Sequence, residues 1–170
     1  RELTRRVRAY ELRAPDWSDL PPVTAGAHLS VPVRLADGSV VTRQYSLTSH
    51  PHRRDMFEIA VLREDDGSGG SAAVHASWQI GTLLALDHPI NQFPLHDDNR
   101  HAVLIAGGIG ITPIRAMAHA TRTQYGAFSQ PSRTAHAQPP RSSATVPTPS
   151  AAQPAPFSIR KGRLRRCNAP

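Results

Sequence analysis

Hydrophobic and polar positions alternate with a period of two through much of the first 95 residues. Val31, Val33 and Leu35 alternate with other residues, segment 57–61 repeats the pattern, and 83–86 is a short apolar run. Alternation of this kind is typical of strands with one buried face. Because these short strands are separated by Gly, Pro and Asp, the pattern predicts a mainly β domain built as an antiparallel barrel or sandwich.

One helix interrupts the strand pattern. Segment 71–80 predicts a short helix over the barrel, with Ala73, Val74 and Trp78 as its buried stripe. The preceding segment 67–71 reads Gly-Ser-Gly-Gly-Ser, and its N–H groups together with the helix N-terminus could hold an anion. Two other interpretations stay open, namely Ser71 as a plain N-cap and the glycines as a flexible loop.

The pattern changes at residue 101. The apolar run 102–106 is typical of a parallel strand buried on both faces. A glycine turn at 107–110 follows, and Thr112-Pro113 then opens a helix that we expect to end near Ala120, with proline at its first position. This order predicts the first β-turn-α unit of a doubly wound α/β domain, although the glycine turn lacks the complete dinucleotide fingerprint.

Composition divides the chain further. Residues 121–170 contain 8 prolines, 8 basic and no acidic residues, whereas residues 1–120 contain 12 basic and 13 acidic ones. The formal net charge of +7 therefore comes from the tail, which we expect to be disordered because its hydrophobic residues are few and show no periodicity. The predicted units are a barrel at 1–97, the start of an α/β domain at 98–120 and a tail at 121–170.

Several functions are disfavoured by composition. The single cysteine, Cys167, excludes an intrachain disulfide, and the nine histidines show no ligand spacing, so no metal site is predicted. No catalytic dyad or triad is visible, and no apolar run is long enough to cross a bilayer, so a cytoplasmic protein is expected. The basic cluster 160–166 lacks the interleaved aromatics of nucleic-acid binders, so nucleic acid is not expected as a partner.

The segment 43–47, Arg-Gln-Tyr-Ser-Leu, carries the strongest candidate chemistry. Arg43 and Tyr45 should share one face of a strand, where they could pair with a phosphate and stack on a planar ring. Strict alternation places Ser46 on the opposite face, so Ser46 reaches the same ligand only if the strand ends or bends there, or through its backbone N–H. The alternative is an ordinary half-exposed strand.

Five motifs in this order resemble the ferredoxin reductase superfamily, in particular its phthalate dioxygenase reductase and vanillate demethylase reductase group. They lie at 26–29, 43–47, 69–71, 91–95 and 107–113. The resemblance implies a six-stranded antiparallel flavin-binding barrel, usually for FMN in this group, although FAD is possible. It also implies an α/β domain that binds NADH and a plant-type ferredoxin domain with a [2Fe–2S] cluster.

The resemblance also implies roles for individual residues. Arg43 would contact the flavin phosphate, Tyr45 would pack on the ring, and Ser46 would lie near its reactive edge. The complete set of implied cofactor-binding residues is Arg43, Gln44, Tyr45, Ser46, Leu47, Ala60, Val61, Leu62, Gly69, Gly70, Ser71, Gly107, Gly108, Gly110 and Thr112. Within this set, the last four would lie beside the nicotinamide and its pyrophosphate.

The implied function is that of an electron-transfer reductase, which uses NADH to reduce flavin and then an iron–sulfur or oxygenase partner. Two departures bear on it: the family usually has Arg at the position of Ser68 and a basic residue at that of Ile90. Nothing after residue 120 matches the rest of the NADH domain, and Cys167 alone cannot ligate a [2Fe–2S] cluster. The alternative is therefore a non-catalytic or non-functional flavin-binding fragment that cannot use NADH.

Overall fold

A computed structural model describes residues 1–96, 98, 102–125 and 155–160. The described elements, in chain order, are β1 (Val7–Arg13), β2 (Ala27–Arg34), β3 (Val40–Ser46), β4 (Phe57–Leu62), α1 (Gly70–Ser77), β5 (Leu83–Leu86), β6 (Ile90–Asn91), a 3₁₀ turn (Gly108–Gly110), α2 (Ile111–Tyr125) and β7 (Ala155–Arg160).

The strands form two antiparallel sheets, as the alternating pattern predicts. One sheet has the order β4-β1-β7-β5, and the other has the order β3-β2-β6. A bridge between Leu47 and Ile59 joins the end of β3 to β4 and so connects the two sheets. The first 97 residues supply six of these strands, in agreement with the expected barrel.

Inward-facing residues of both sheets build one main core. Val31, Val33, Phe57, Ile59 and Val61 are all buried, which confirms the period-two interpretation of β2 and β4. Between β2 and β3 the chain reverses in a tight turn, where the Leu35 N–H donates to the Ser39 carbonyl at 2.8 Å. Gly38 occupies the left-handed region in this turn with φ of 86°.

Helix α1 starts and ends slightly earlier than predicted. It begins at Gly70 after Gly69, which is the N-cap with φ of 79°, so Ser71 is not the cap. Val74 and Trp78 are buried in the main core as expected, although Trp78 lies just beyond the helix. The His75 ring packs onto β4, where its Nε2 lies 2.9 Å from the Val61 carbonyl.

The predicted parallel strand at 102–106 does not form. Residues 102–107 have no regular structure, and Val103 and Ile105 are 81% and 82% exposed. A strand buried on both faces needs neighbouring strands as well as covering helices. The described residues pair no strand with this segment, and only its Leu104 is partly buried, against Ala116 and Met117 of α2. Its apolar pattern is therefore not matched by burial here.

The turn and helix after this segment agree with the prediction in kind, but their bounds differ. The glycine turn becomes a 3₁₀ turn, and α2 runs on to Tyr125, which lies beyond the expected end near Ala120. Pro113 is the third helical residue instead of the first. One face of α2 packs on the barrel side, with Ala116 and Met117 buried against Ala25.

The tail also departs from the prediction of disorder. Residues 121–125 belong to α2, and residues 155–160 form β7 inside the first sheet. The apolar Phe157 is buried in the core, which offsets the ordering cost of this short segment. The predicted disorder of 126–154 and 161–170 lies outside the described residues.

Candidate functional site

A cavity of about 380 Å³ lies between the barrel and the segment 109–113; we call it the Arg43 cavity. Its lining combines β3, β4, the start of α1 and the glycine turn. The lining residues are Arg43, Gln44, Tyr45, Ser46, Ala60, Leu62, Glu64, Ser68, Gly70, Ser71, Ile109, Gly110, Thr112 and Pro113. The volume lies within the usual range for small-molecule sites in proteins.

Arg43 lies at the N-terminus of α1. Its Nη2 donates a hydrogen bond to Ser68 Oγ, and a Cβ built on Gly70 would lie 2.5 Å from Arg43 Nε. The N-cap Gly69 offers no side-chain acceptor to the first turn of the helix, and that turn contains no acidic residue. A guanidinium and an uncapped helix N-terminus therefore meet at one end of the cavity, which is a favourable arrangement for an anion.

Tyr45 and Ser46 extend the cavity along β3. Tyr45 packs against the main core, and burial raises the pKa of its phenol, although the charge of Arg43 acts in the opposite direction. Its ring can therefore offer a neutral aromatic surface at ordinary pH. Ser46 is the last residue of β3 and lines the same cavity, so it lies within reach of the same ligand as Tyr45.

The structure brings ten of the predicted site residues to this cavity, and Gly108 lines a neighbouring one. Four others line neither cavity. Leu47 and Val61 are buried core residues, so any contact with a ligand would have to involve their backbone. Gly69 and Gly107 flank the lining residues as the caps of α1 and of the 3₁₀ turn.

The neighbouring cavity, of about 420 Å³, contains a charged network at one end, and we call it the Arg115 cavity. Arg115 on α2 donates a hydrogen bond to Glu58 Oε1 on β4, and Thr48 Oγ1 donates to the same oxygen at 2.8 Å. The Glu58 side chain is only 12% exposed, whereas that of Arg115 is 46% exposed. The pair therefore ties α2 to the barrel.

The carboxyl group of Glu58 is held in its ionised form. Burial alone would raise its pKa, but the hydrogen bonds from Arg115 and Thr48 and the charge of Arg115 outweigh burial and lower it. The nearby His119 has a lowered pKa, first because of burial and then because of the charge of Arg115. At this end of the cavity the ionised Glu58 is paired with Arg115, and the charge of Arg1, which also lines the cavity, lowers the pKa of Glu58 in the same direction.

Ala60, Leu62, Ile109 and Thr112 line both cavities. The two spaces therefore meet in a cleft between β4 and the glycine turn, with Arg43 at one end and the Glu58–Arg115 pair at the other. Such a cleft can bring two ligand groups into contact over an apolar surface.

Sequence reasoning missed Glu58, Thr48 and Arg115. Glu58 is one of the intervening residues of the alternating segment 57–61, and no motif singles out the other two. One signal was available, since Thr112 and Arg115 are three residues apart on a helix and therefore share a face. Within the part of the chain that the structure describes, no group of His, Cys, Asp or Glu could hold a metal ion, and no helix is long and apolar enough to span a membrane.

Comparison with known proteins agrees with this architecture. Residues 1–94, more than half of the chain, match the family model of the oxidoreductase FAD-binding domain. The chain belongs to this family, within the ferredoxin reductase superfamily that includes phthalate dioxygenase reductase.

Two curated relatives illustrate the similarity. The reductase subunit of tert-butanol monooxygenase / tert-amyl alcohol desaturase from Aquincola tertiaricarbonis is 49% identical over 113 residues, which cover 66% of this chain and 32% of that protein. The vanillate O-demethylase oxidoreductase of Acinetobacter baylyi is 41% identical over 123 residues, which cover 72% of this chain and 37% of that protein.

A solved structure also resembles this chain in its fold. Phthalate dioxygenase reductase, described as a modular structure for electron transfer from pyridine nucleotides to [2Fe–2S], superposes with a TM-score of 0.66 at 36% identity. The match covers 73% of this chain and 37% of that one. The chain thus spans about a third of the length of the proteins it resembles.

Proposed function

We propose that this chain binds FMN in the Arg43 cavity and acts as the flavin unit of an electron-transfer reductase. The observation that carries the proposal is the position of Arg43 at the uncapped N-terminus of α1, beside the aromatic ring of Tyr45. The cation and the helix terminus suit a phosphate, and the ring suits a planar heterocycle. Family membership independently favours a flavin.

Different residues of the cavity would bind different parts of the flavin. Arg43, Ser68, Gly70 and Ser71 would bind the phosphate end. Tyr45 would pack on the ring, with Ser46 near its edge, and backbone groups of 60–62 would hydrogen-bond its polar side. When bound, a flavin supplies hydride acceptance from a reduced nicotinamide and release of single electrons, so the protein has to bind and orient.

NADH is the proposed reductant, and it would approach through the shared cleft. Gly108, Gly110 and Thr112 lie on the side of the cleft opposite β4, where a nicotinamide could meet the ring. The proposed electron acceptor is an iron–sulfur or oxygenase component, since the relatives are reductase subunits of oxygenase systems. Orientation alone suits this reaction, which needs no protein acid or base.

Reconstitution tests the flavin proposal. Purified protein that is mixed with excess FMN and then desalted should retain FMN with the absorbance of a bound flavin. The Tyr45 ring should quench the fluorescence of the bound flavin, and this quenching should be lost in Tyr45→Ala. Protein that retains neither FMN nor FAD after this treatment would contradict the proposal. Retention of FAD in preference to FMN would overturn the choice of FMN alone.

A second candidate function is a flavin-binding unit that does not use NADH. One observation favours it: residues 102–107 form no strand, so the described residues do not build the sheet on which a dinucleotide would rest. Rapid anaerobic mixing of FMN-loaded protein with NADH separates the two. Bleaching of the flavin absorbance within seconds supports the reductase. If NADH leaves the flavin oxidised while dithionite reduces it, the second candidate is supported.

A further inference from the structure

The strand β7 occupies an unusual place in the first sheet. It lies between β1 and β5 and runs antiparallel to both. Its residues 158–160 pair with β1 and its residues 155–158 pair with β5. Since β1 and β5 are therefore parallel to each other, the space between them is a slot one strand wide. The chain enters this slot from a segment remote in sequence.

Phe157 anchors β7 in the core. It is 1% exposed, belongs to the main hydrophobic cluster, and its ring stacks on Phe57 with centroids 6.0 Å apart and planes 28° apart. Phe57 is itself fully buried on β4. Burial of a phenylalanine side chain to this extent removes a large apolar surface from water, so Phe157 stabilises the core more than most single residues do.

The strand β5 depends on β7 for its place in the sheet. Among the described strands, β7 is the hydrogen-bonded neighbour of β5, and the sheet continues to β1 through β7. Leu86 of β5 is nevertheless buried in the main core. Without β7, the facing edges of β1 and β5 would carry unpaired backbone groups beside an opened core, which is costly and promotes pairing with another strand.

We infer that the slot between β1 and β5 is a strand-accepting site, and that residues 155–160 of the same chain are its resident occupant. Recognition follows the strand-addition mode, in which backbone hydrogen bonds supply affinity and one side-chain pocket supplies selectivity. Here the pocket is the one filled by Phe157. Pro156, which cannot donate a backbone hydrogen bond, lies opposite Ala85 of β5 and outside the stretch paired with β1.

Hydrogen exchange on the intact chain tests the occupancy directly. We expect the amides of residues 158–160 to exchange at least about 100-fold more slowly than those of a free peptide of the same sequence, because they are held in a sheet. Exchange at the rate of the free peptide would overturn the inference. Protection that is lost on dilution, together with a dimer in sedimentation, would assign the strand to a second copy and would also overturn it.

Ser158→Pro gives a second test, because Ser158 is the residue of β7 that pairs with both neighbours. The variant should lose the resident strand and unfold roughly 5–10 °C below the wild type. The control Asn168→Pro, beyond the end of β7, should unfold at the wild-type temperature. Equal unfolding temperatures for Ser158→Pro and the wild type would count against the inference.

A separate peptide distinguishes specific binding of a strand between β1 and β5 from a general loss of stability caused by Ser158→Pro. A labelled peptide with the sequence of residues 153–162 should bind Ser158→Pro at least about tenfold more tightly than the wild type, whose own strand competes at a high effective concentration. The same peptide with alanine in place of its phenylalanine should bind neither protein. Lack of binding to a folded Ser158→Pro variant, or equal binding of both peptides, would contradict the inference.

Discussion

The Arg115 guanidinium on α2 donates a hydrogen bond to Glu58 Oε1 on β4, across the cleft that separates the glycine turn from the barrel. Thr48 donates to the same carboxylate oxygen, so the largely buried Glu58 is satisfied from two sides. This contact joins α2 to the barrel. Together with the packing of Ala116 and Met117 against Ala25, it holds α2 on the barrel.

Removal of the cation should destabilise this junction. We expect Arg115→Ala to lower the free energy of unfolding by about 1–3 kcal/mol, since a mostly buried carboxylate loses a charged donor. Arg122→Ala, on the exposed last turn of α2, is the matched control and should cost less than about 0.5 kcal/mol. Urea unfolding of the two variants measures the difference, and equal losses would contradict the role of the pair.

Acid should weaken the same contact. The pKa of Glu58 is lowered in the folded protein, so its ionised form contributes stability above its ordinary value of 4.5, and this contribution is lost as pH falls through the folded pKa. We therefore expect Glu58→Gln to lose less stability than the wild type between about pH 5 and pH 2.

Asp55 supplies the control for this acid titration. Its pKa is lowered to about 2, first by the hydrogen bond from Arg53, so its contribution is lost as pH falls between 3.8 and about 2. Asp55→Asn should flatten the acid limb only below about pH 3.8, whereas Glu58→Gln should begin to act near pH 4.5. Thermal unfolding measured between about pH 5 and pH 2 compares the two variants. The same dependence of stability on pH in both would argue against a special role for Glu58.

Arg43 should discriminate between phosphorylated and unphosphorylated flavins. We expect Arg43→Ala to weaken FMN binding by about 1.5–3 kcal/mol, roughly ten- to a hundred-fold, as a charged hydrogen-bond donor is lost. Arg43→Lys should recover only part, because an ammonium does not reproduce the guanidinium fork. Riboflavin, which lacks the phosphate, should bind all three proteins alike. Arg34→Ala, on the exposed end of β2, should leave both affinities unchanged.

The part of this site that lies on strands was predictable from sequence. Alternation fixes which side chains share a face, so the grouping of Arg43 with Tyr45 needed no knowledge of the rest of the chain. The inward positions of β2 and β4 follow from the same rule, because each strand has one buried face. The turn at 35–39 contains Asp37 and Gly38, whose preference for turns is a local property.

The remainder depends on contacts between distant segments. Glu58 and Arg115 are 57 residues apart, and nothing in either neighbourhood specifies the other. The pairing of β7 with β1 and β5 is equally non-local, and a Pro-rich composition outweighed its single buried aromatic in the sequence interpretation. The failure at 102–106 has the opposite cause, since an apolar run specifies burial only where partner strands are present to bury it.

Gly70 should be required because of its neighbour Arg43. A Cβ at position 70 would lie 2.5 Å from Arg43 Nε, so Gly70→Ala must displace the Arg43 side chain. We expect a roughly three- to thirtyfold loss of FMN affinity, about 0.7–2 kcal/mol, with little change in helix stability, since alanine is a good helix former. Titration of flavin fluorescence measures the loss.

A double-mutant cycle identifies the cause of the Gly70 effect. If Gly70→Ala acts by moving Arg43, it should have almost no effect on FMN affinity in an Arg43→Ala background. An equally large effect in both backgrounds would mean that the new methyl group obstructs the ligand itself, and the proposed dependence on Arg43 would then be wrong.

The last prediction concerns Val103 and Ile105, where sequence pattern and structure disagree. Both side chains are more than four-fifths exposed, so the double change Val103→Ser and Ile105→Ser should alter the free energy of unfolding by less than about 0.5 kcal/mol. A strand buried on both faces would instead make each change cost about 2 kcal/mol or more. Ile59→Ser, at a fully buried position of β4, is the control and should cost at least that much.

Two neighbouring exposed apolar side chains also promote association, so the double variant should remain monomeric to higher protein concentration in light scattering. A large loss of stability in the double variant would show that the segment is buried in solution and that the pattern, not the exposed conformation, describes it.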